Sequence, residues 1–315
     1  MSIGEQERPT VDARPGLPGL TGLSAEEALT RVGVLGSISN DGESGRIGND
    51  AGIRYRLDNH VLYGIVDVEE GSFGGSGLPL QRAAEDAYRR IFTLIERERR
   101  PHLWRTWNYL ADINKETGGL ERYRQFNIGR HDAFVAGGRL TRGNVPAACA
   151  LGTHSGPLTI AFMAGRTEAV PLENPRQVSA YDYPAAYGPR SPTFSRAALA
   201  YLPGRELLFI SGTASILGHR TLHRDDITGQ TREIVANLAA MLASANAEAR
   251  TVDYTLGELR LRAYVRHVAD QAVVHRTLEQ AIGTGLSIEY VQADICRADL
   301  LVEIEANASH AMGNC

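Results

Sequence analysis

The chain has 315 residues, 43% of them apolar and 22% charged, and a formal net charge of −4, so it can bury one or two cores and offers no basic surface for nucleic acid. Its three cysteines, Cys149, Cys296 and Cys315, show no CxxC spacing, which argues against a disulfide framework or a structural zinc site and suits a reducing cytoplasm. The N-terminus has no apolar signal core, and no apolar run approaches the roughly 20 residues of a membrane span.

In chain order, the Pro- and Gly-rich start reads as a flexible tail over residues 1–24. VLYGIVDVEE (61–70) is strand-like. PLQRAAEDAYRRIFTLIERERR (79–100) is an amphipathic helix with Ala83, Ala87, Ile91 and Leu94 or Ile95 inward. GSFGGSG (71–77) between them lacks the Lys-Ser/Thr of a phosphate loop and reads as a flexible hairpin. HLWRTWNYLADI (102–113) is a strand, LERYRQFNIGRHDAFVAGG (120–138) a helix, and AACALG (147–152) and PLTIAFMAG (157–165) are strands. The segment ENPRQVSAYDYPAAYGPRSPTFSRA is too aromatic and arginine-rich for an inert linker, and long irregular segments in compact proteins are usually functional.

The second half repeats the order. RELLFISGTASI (205–216) is a buried strand, and 225–248 is a helix capped by Asp225 or Asp226 with Ile234, Leu238 and Leu242 on one stripe. A strand at 255–267, a helix at 269–283 ending at Gly283, and one or two strands in LSIEYVQADICRADLLVEIEA follow. Two β-α-β-α-β units imply a duplicated α/β (α+β) chain with helices on one side of each sheet, its domains at 25–200 and 201–315. His219 and His223 have the spacing of two metal ligands on a helix, but the segment reads as loop and no carboxylates complete a site, so no metal is expected.

In DICRADLLVEIEA, Val302, Ile304 and Ala306 point to one face, and Leu301, Glu303 and Glu305 to the other. Every basic residue except Lys115 is arginine. Tyr123, Arg124, Phe126 and Arg130 in YRQFNIGR join Tyr183, Tyr187, Arg190, Phe194 and Arg196 in the link. Together they supply arginine forks and phenols suited to a small polycarboxylate with an apolar body.

FISGTASI, then a helix with Gln230 and Asn237-Leu238, then VEIEA, resembles the reactive-intermediate deaminase (RidA/YjgF-like) superfamily, here in tandem. YRQFNIGR, QVSAYDYPAAYGPRSPTFSRA, ISGTASILGH and DICRADLLVEIEA resemble the chorismatase family over about residues 60–306. The deaminases carry an arginine fifteen residues before the first glutamate of the final motif, where this chain has Ile288, which favours the chorismatase branch.

The resemblance implies a cofactor-independent, cytoplasmic enzyme, monomeric or homotrimeric, that acts on chorismate with loss of pyruvate. It implies Glu303 as the acid that protonates the enolpyruvyl methylene, with Glu305 supporting or exposed. Arg130 and Arg196 are expected to hold the two carboxylates, with Tyr123, Tyr187, Arg297, Thr213 and Ser215 also binding substrate. Gly212 and Cys296 match 3-hydroxybenzoate formers: the glycine leaves room for the ring to shift, and the thiol assists as nucleophile or proton donor, or only shapes the pocket. The alternatives are hydrolysis to a dihydroxycyclohexadiene carboxylate and imine deamination.

Overall fold

The computed structural model describes residues 45–74 and 78–313; the expected N-terminal tail lies outside them. A hairpin comes first: β1 (Arg46–Asp50) and β2 (Ile53–Leu57) meet at Ala51-Gly52, whose φ angles of 49° and 81° give the tight turn that matches strand twist. Then come β3 (Val61–Val68), α1 (Pro79–Arg97), β4 (His102–Ala111), the short pair β5 (Glu116–Thr117) and β6 (Leu120–Glu121), α2 (Arg122–Ala136), β7 (Ala147–Thr153) and β8 (Leu158–Gly165). The second half holds β9 (Val170–Leu172), β10 (Ala197–Leu202), β11 (Arg205–Ala214), the pair β12 (Ile216–Leu217) and β13 (Arg220–Thr221), and α3 (Ile227–Glu248). It ends with β14 (Arg260–Val265), α4 (Gln271–Ile282), β15 (Ser287–Gln292), β16 (Asp294–Ile295) and β17 (Val302–Ala311).

Two sheets result. The first runs β1-β2-β3-β8-β4-β7-β16 and the second β15-β14-β17-β11-β10-β9. Pairing is antiparallel except for β4 with β7 and β14 with β15, where an α-helix makes the crossover. The apolar stripe of α1, including Ala83, Ala87, Ile91, Leu94 and Ile95, is buried with Phe126 of α2 against Leu62, Val66 and Phe162 of the first sheet. Ile234, Leu238 and Leu242 of α3 and Val274 of α4 are buried against Leu208, Ile210, Val302 and Ile304 of the second. Each fully buried side chain of this size is worth roughly 1.5–3 kcal/mol of transfer free energy. The other faces of the two sheets meet in a third core containing Tyr63, Trp107, Leu151, Met163, Phe209 and Tyr264. The layers are helix, sheet, sheet, helix.

Asp226, one of the two expected caps, accepts the Gly229 N–H at 2.9 Å. Three features go beyond the periodicity of the sequence. The aromatic link runs from the end of β9 into β10, both strands of the second sheet. Residues 287–311 form three strands rather than one or two, and β16 crosses to pair with β7 at the edge of the first sheet. Arg266 fixes that crossing: it pairs with Asp294 and donates to Asn114 Oδ1 at 3.2 Å, while Asn114 Nδ2 donates to the Ile295 carbonyl at 3.0 Å.

Candidate active site

β17 lies between β11 and β14, with Glu303 opposite Ala214 on one side and Tyr264 on the other. Val302 and Ile304 face the helices, so Glu303 and Glu305 face the first sheet, as their alternation requires. A bulge interrupts β11 between Ile210 and Thr213, and Gly212 sits in it. A Cβ added at Gly212 would overlap the Glu303 carboxyl and lie 3.1 Å from Cys149 Cβ. The missing side chain is the space the carboxyl occupies.

Glu303 points into a cavity of about 220 Å³, below the roughly 300–1,000 Å³ of drug-sized sites and therefore fit for a small ligand. Tyr123 and Arg130, two turns apart on α2, form one wall; Ala148, Cys149 and Ala150 of β7 line it as well. The link covers it with Tyr183, Tyr187, Pro192, Phe194 and Arg196. Cys296, Arg297 and Ala298, directly after β16, complete it beside Gly212, Ala214 and Ile216. The strand that crosses between sheets thus delivers Cys296 and Arg297 to the site.

Four arginines line the cavity; Arg124 pairs with Glu121, and the other three carry no carboxylate partner. Arg130 is 2% exposed, donates to Asn127 Oδ1 at 2.9 Å and lies 5.0 Å from the Phe126 ring centroid. Arg196 donates to the Tyr183 hydroxyl at 2.7 Å and the Val178 carbonyl at 3.0 Å. Arg297 stacks 4.3 Å over Tyr187 and donates to the His219 carbonyl at 3.0 Å. Each keeps one buried nitrogen without a partner: Nε of Arg130, Nε of Arg196 and Nη2 of Arg297. Tyr187 donates to the His219 carbonyl at 2.6 Å, which fixes the ring beneath Arg297.

Burial, reinforced by the Glu305 charge, pushes Glu303 up to about 8 against the pull of Arg105 and Arg196, so it is a neutral acid at pH 7. Cys296 Sγ lies 4.0 Å from Glu303 Oε2, and burial next to that carboxyl pushes the thiol up to about 12. It remains a thiol at neutral pH, so it offers a proton or a shape and no thiolate. Glu305 has a different task. It pairs with Arg105, accepts the Tyr264 hydroxyl at 3.0 Å and lies 3.7 Å from Arg262 Nη1, outside the cavity.

Glu303, Cys296, Gly212, Arg130, Arg196, Arg297, Tyr123 and Tyr187 all line one cavity. Thr213 and Ser215 do not: their hydroxyls donate to the carbonyls of Ser211 and Leu222, each at 2.9 Å. The bulge shifts the phase of the strand, so Gly212, Ala214 and Ile216 take the cavity face in their place. Cys149, Ala148 and Ala150 went unseen in the sequence because small residues in a buried strand carry no chemical signature. Tyr183 and Phe194 were visible as part of the aromatic link.

Residues 40–164 match the family described as Chorismatase FkbO/Hyg5-like, N-terminal. The chain is 34% identical over 303 residues to a chorismatase of Streptomyces rapamycinicus, covering 91% of this chain and 89% of that protein. It is 39% identical over 234 residues to a 3-hydroxybenzoate synthase of Streptomyces hygroscopicus, covering 71% and 68%. A chorismatase of known crystal structure superposes with a TM-score of 0.77 at 35% identity, over 84% of this chain and 79% of that one.

Proposed function

The chain belongs to the chorismatase family, and from that premise we propose that it converts chorismate to 3-hydroxybenzoate and pyruvate. The observation that carries the proposal is the neutral carboxyl of Glu303 facing a small cavity lined by four arginines, of which only Arg124 pairs with a lining carboxylate.

Chorismate is a cyclohexadiene with a ring carboxylate, a 3-enolpyruvyl ether bearing a second carboxylate, and a 4-hydroxyl. The dianion matches a cavity whose cations outnumber its anions, since Glu121 pairs with Arg124 and Glu303 is neutral. Arg130 and Arg196 hold the two carboxylates, and Arg297, with its free nitrogen, adds a third fork. The phenol of Tyr123, kept protonated by burial, donates to the bound anion. Glu303 then gives its proton to the terminal methylene. Protonating carbon is slow, and a positioned acid is worth about 10²–10⁴-fold. The side chain leaves as pyruvate when the ring C3–O bond breaks. The 4-hydroxyl oxygen bonds to C3 in its place and gives up its proton, which returns the Glu303 carboxylate to its acid form, leaving an arene-oxide-like intermediate. Opening of that ring and loss of the ring proton restore aromaticity. The two products contain every atom of chorismate, so no water is consumed; the diol route consumes one.

Gly212 and Cys296, the two residues that resemble 3-hydroxybenzoate formers, both line the cavity, and this supports the internal displacement. One chain supplies the acid, the arginines and the cover, so we read a single copy as a complete catalytic unit, whether or not copies associate. The scarcity of cysteine suits a reducing cytoplasm; among the described residues no helix is long and apolar enough to cross a membrane.

The test is incubation with chorismate alone, followed by identification of the products. Equimolar pyruvate and 3-hydroxybenzoate are expected. A non-aromatic diol as sole ring product contradicts the internal displacement, and unchanged chorismate contradicts the reaction.

A further inference from the structure

The aromatic link that covers the cavity starts and ends on an opposed pair of charged residues. Leu172 and Ala197 are the last partners in the β9–β10 ladder, and both are buried against the helices. One residue further out, Glu173 stands opposite Arg196, and alternation turns both toward the other side of the sheet, where Arg196 lines the cavity. Glu173 does not line it. Its carboxyl oxygens are both buried and close no hydrogen bond of good geometry. Burial raises the carboxyl above its ordinary value, against the pull of the Arg196 charge, the Ser179 hydroxyl and the Arg196 backbone N–H; Asp182 adds to the rise. The charges beyond are paired: Asp182 with Arg142, and Arg176 with Glu233 of α3 at 2.8 Å. Arg196 is therefore the cation that acts on Glu173, yet its guanidinium gives its hydrogen bonds to Tyr183 and Val178.

One guanidinium thus faces two anionic groups, a buried carboxyl of the chain and the carboxylate of a bound substrate. Two negative charges beside one buried cation repel each other in a low dielectric, and the group able to take a proton takes it. We propose that Glu173 is a positioning residue acting through Arg196: it takes up a proton as the substrate's carboxylate settles on that arginine and releases it when the site empties. The proton comes from solvent and returns to it. Neutral Glu173 leaves the whole charge of Arg196 to the substrate, whereas ionised Glu173 shares it and weakens the grip. This rests on the chorismate reading of the cavity and adds to it a proton separate from the one Glu303 delivers.

The free chain binds well with Glu173 protonated, so kcat/KM should fall as pH rises through the Glu173 titration, by up to about tenfold per pH unit. The value of kcat reports the loaded chain, in which Glu173 holds its proton, and should stay level to the Glu303 limb at about 8. The experiment follows pyruvate release from chorismate by the full chain and by Glu173→Gln. It runs from about pH 5 to about 7.5, above the titration of ordinary carboxyls and below the Glu303 limb. The parent should lose kcat/KM across that range at constant kcat. The amide of Glu173→Gln keeps the shape and cannot ionise, so its kcat/KM should stay level at the parent's low-pH value. A parent kcat/KM that stays level overturns the proposal, and this is read whether or not the variant folds. A Glu173→Gln variant that keeps the parent's decline, at whatever absolute rate, has lost a structural contact only and overturns it too. Chorismate left unchanged at every pH overturns the reaction itself, and this inference with it.

Discussion

At the scale of single residues, a carboxyl that is 3% exposed and shares a strand face with a second carboxylate keeps its proton to a pH of about 8. The sign of the pH dependence follows. The acid form exists below the raised value, so kcat should hold through neutrality and fall as pH rises through about 8. A dianionic substrate moves that limb further up. A pH profile of kcat checks it, and a fall beginning near pH 5 contradicts it. Stability carries the same sign. Between the ordinary carboxyl value and about 8, the native chain holds a proton that the unfolded chain has lost, so this group's contribution to stability decreases with rising pH. Gly212 lies against the same carboxyl. The sequence suggests that the glycine gives the ring room to shift; the structure assigns the space to Glu303 itself. Gly212→Ala should therefore lower the rate of pyruvate release at least about tenfold, as misplacement of a catalytic group does, and not merely alter the product. A rate within twofold of the parent would contradict this.

At the scale of elements, β17 serves two neighbours with one face. Its Glu303 end enters the cavity, while Glu305, two residues on, meets Arg105 from β4 of the other sheet and Tyr264 from β14. Removing that anion leaves Arg105 buried without its counter-charge, which costs about 3–5 kcal/mol in comparable cases. Glu305→Ala should lose stability of that order in urea unfolding; a loss below about 1 kcal/mol would contradict the pairing as the support of Arg105. Helix α2 is placed with similar closeness. A Cβ at Gly129 would overlap the Gln81 carbonyl of α1, so this glycine sets the separation that puts Tyr123 and Arg130 at the cavity.

At the scale of the molecule, what periodicity encodes was legible and what long-range pairing decides was not. The stripe of α1 and the alternation around Glu303 are local properties, so the main helices and the strand face that carries Glu303 could be read directly. β16 is two residues long and exists because β7 of the other sheet accepts it, so no local pattern announces it. Thr213 and Ser215, expected at the substrate from the family resemblance, are turned away by a bulge that no local pattern announces. Arg297 and Cys296 reach the cavity through that unannounced crossing, and only their family resemblance pointed to them. The two halves thus meet around one proton. The measurement that tests this most directly is pyruvate release from chorismate by Glu303→Gln, with the fold checked by circular dichroism. The amide keeps the shape and removes the acid, so the rate should fall by about 10²-fold or more. A folded Glu303→Gln variant within a few-fold of the parent rate would contradict the account.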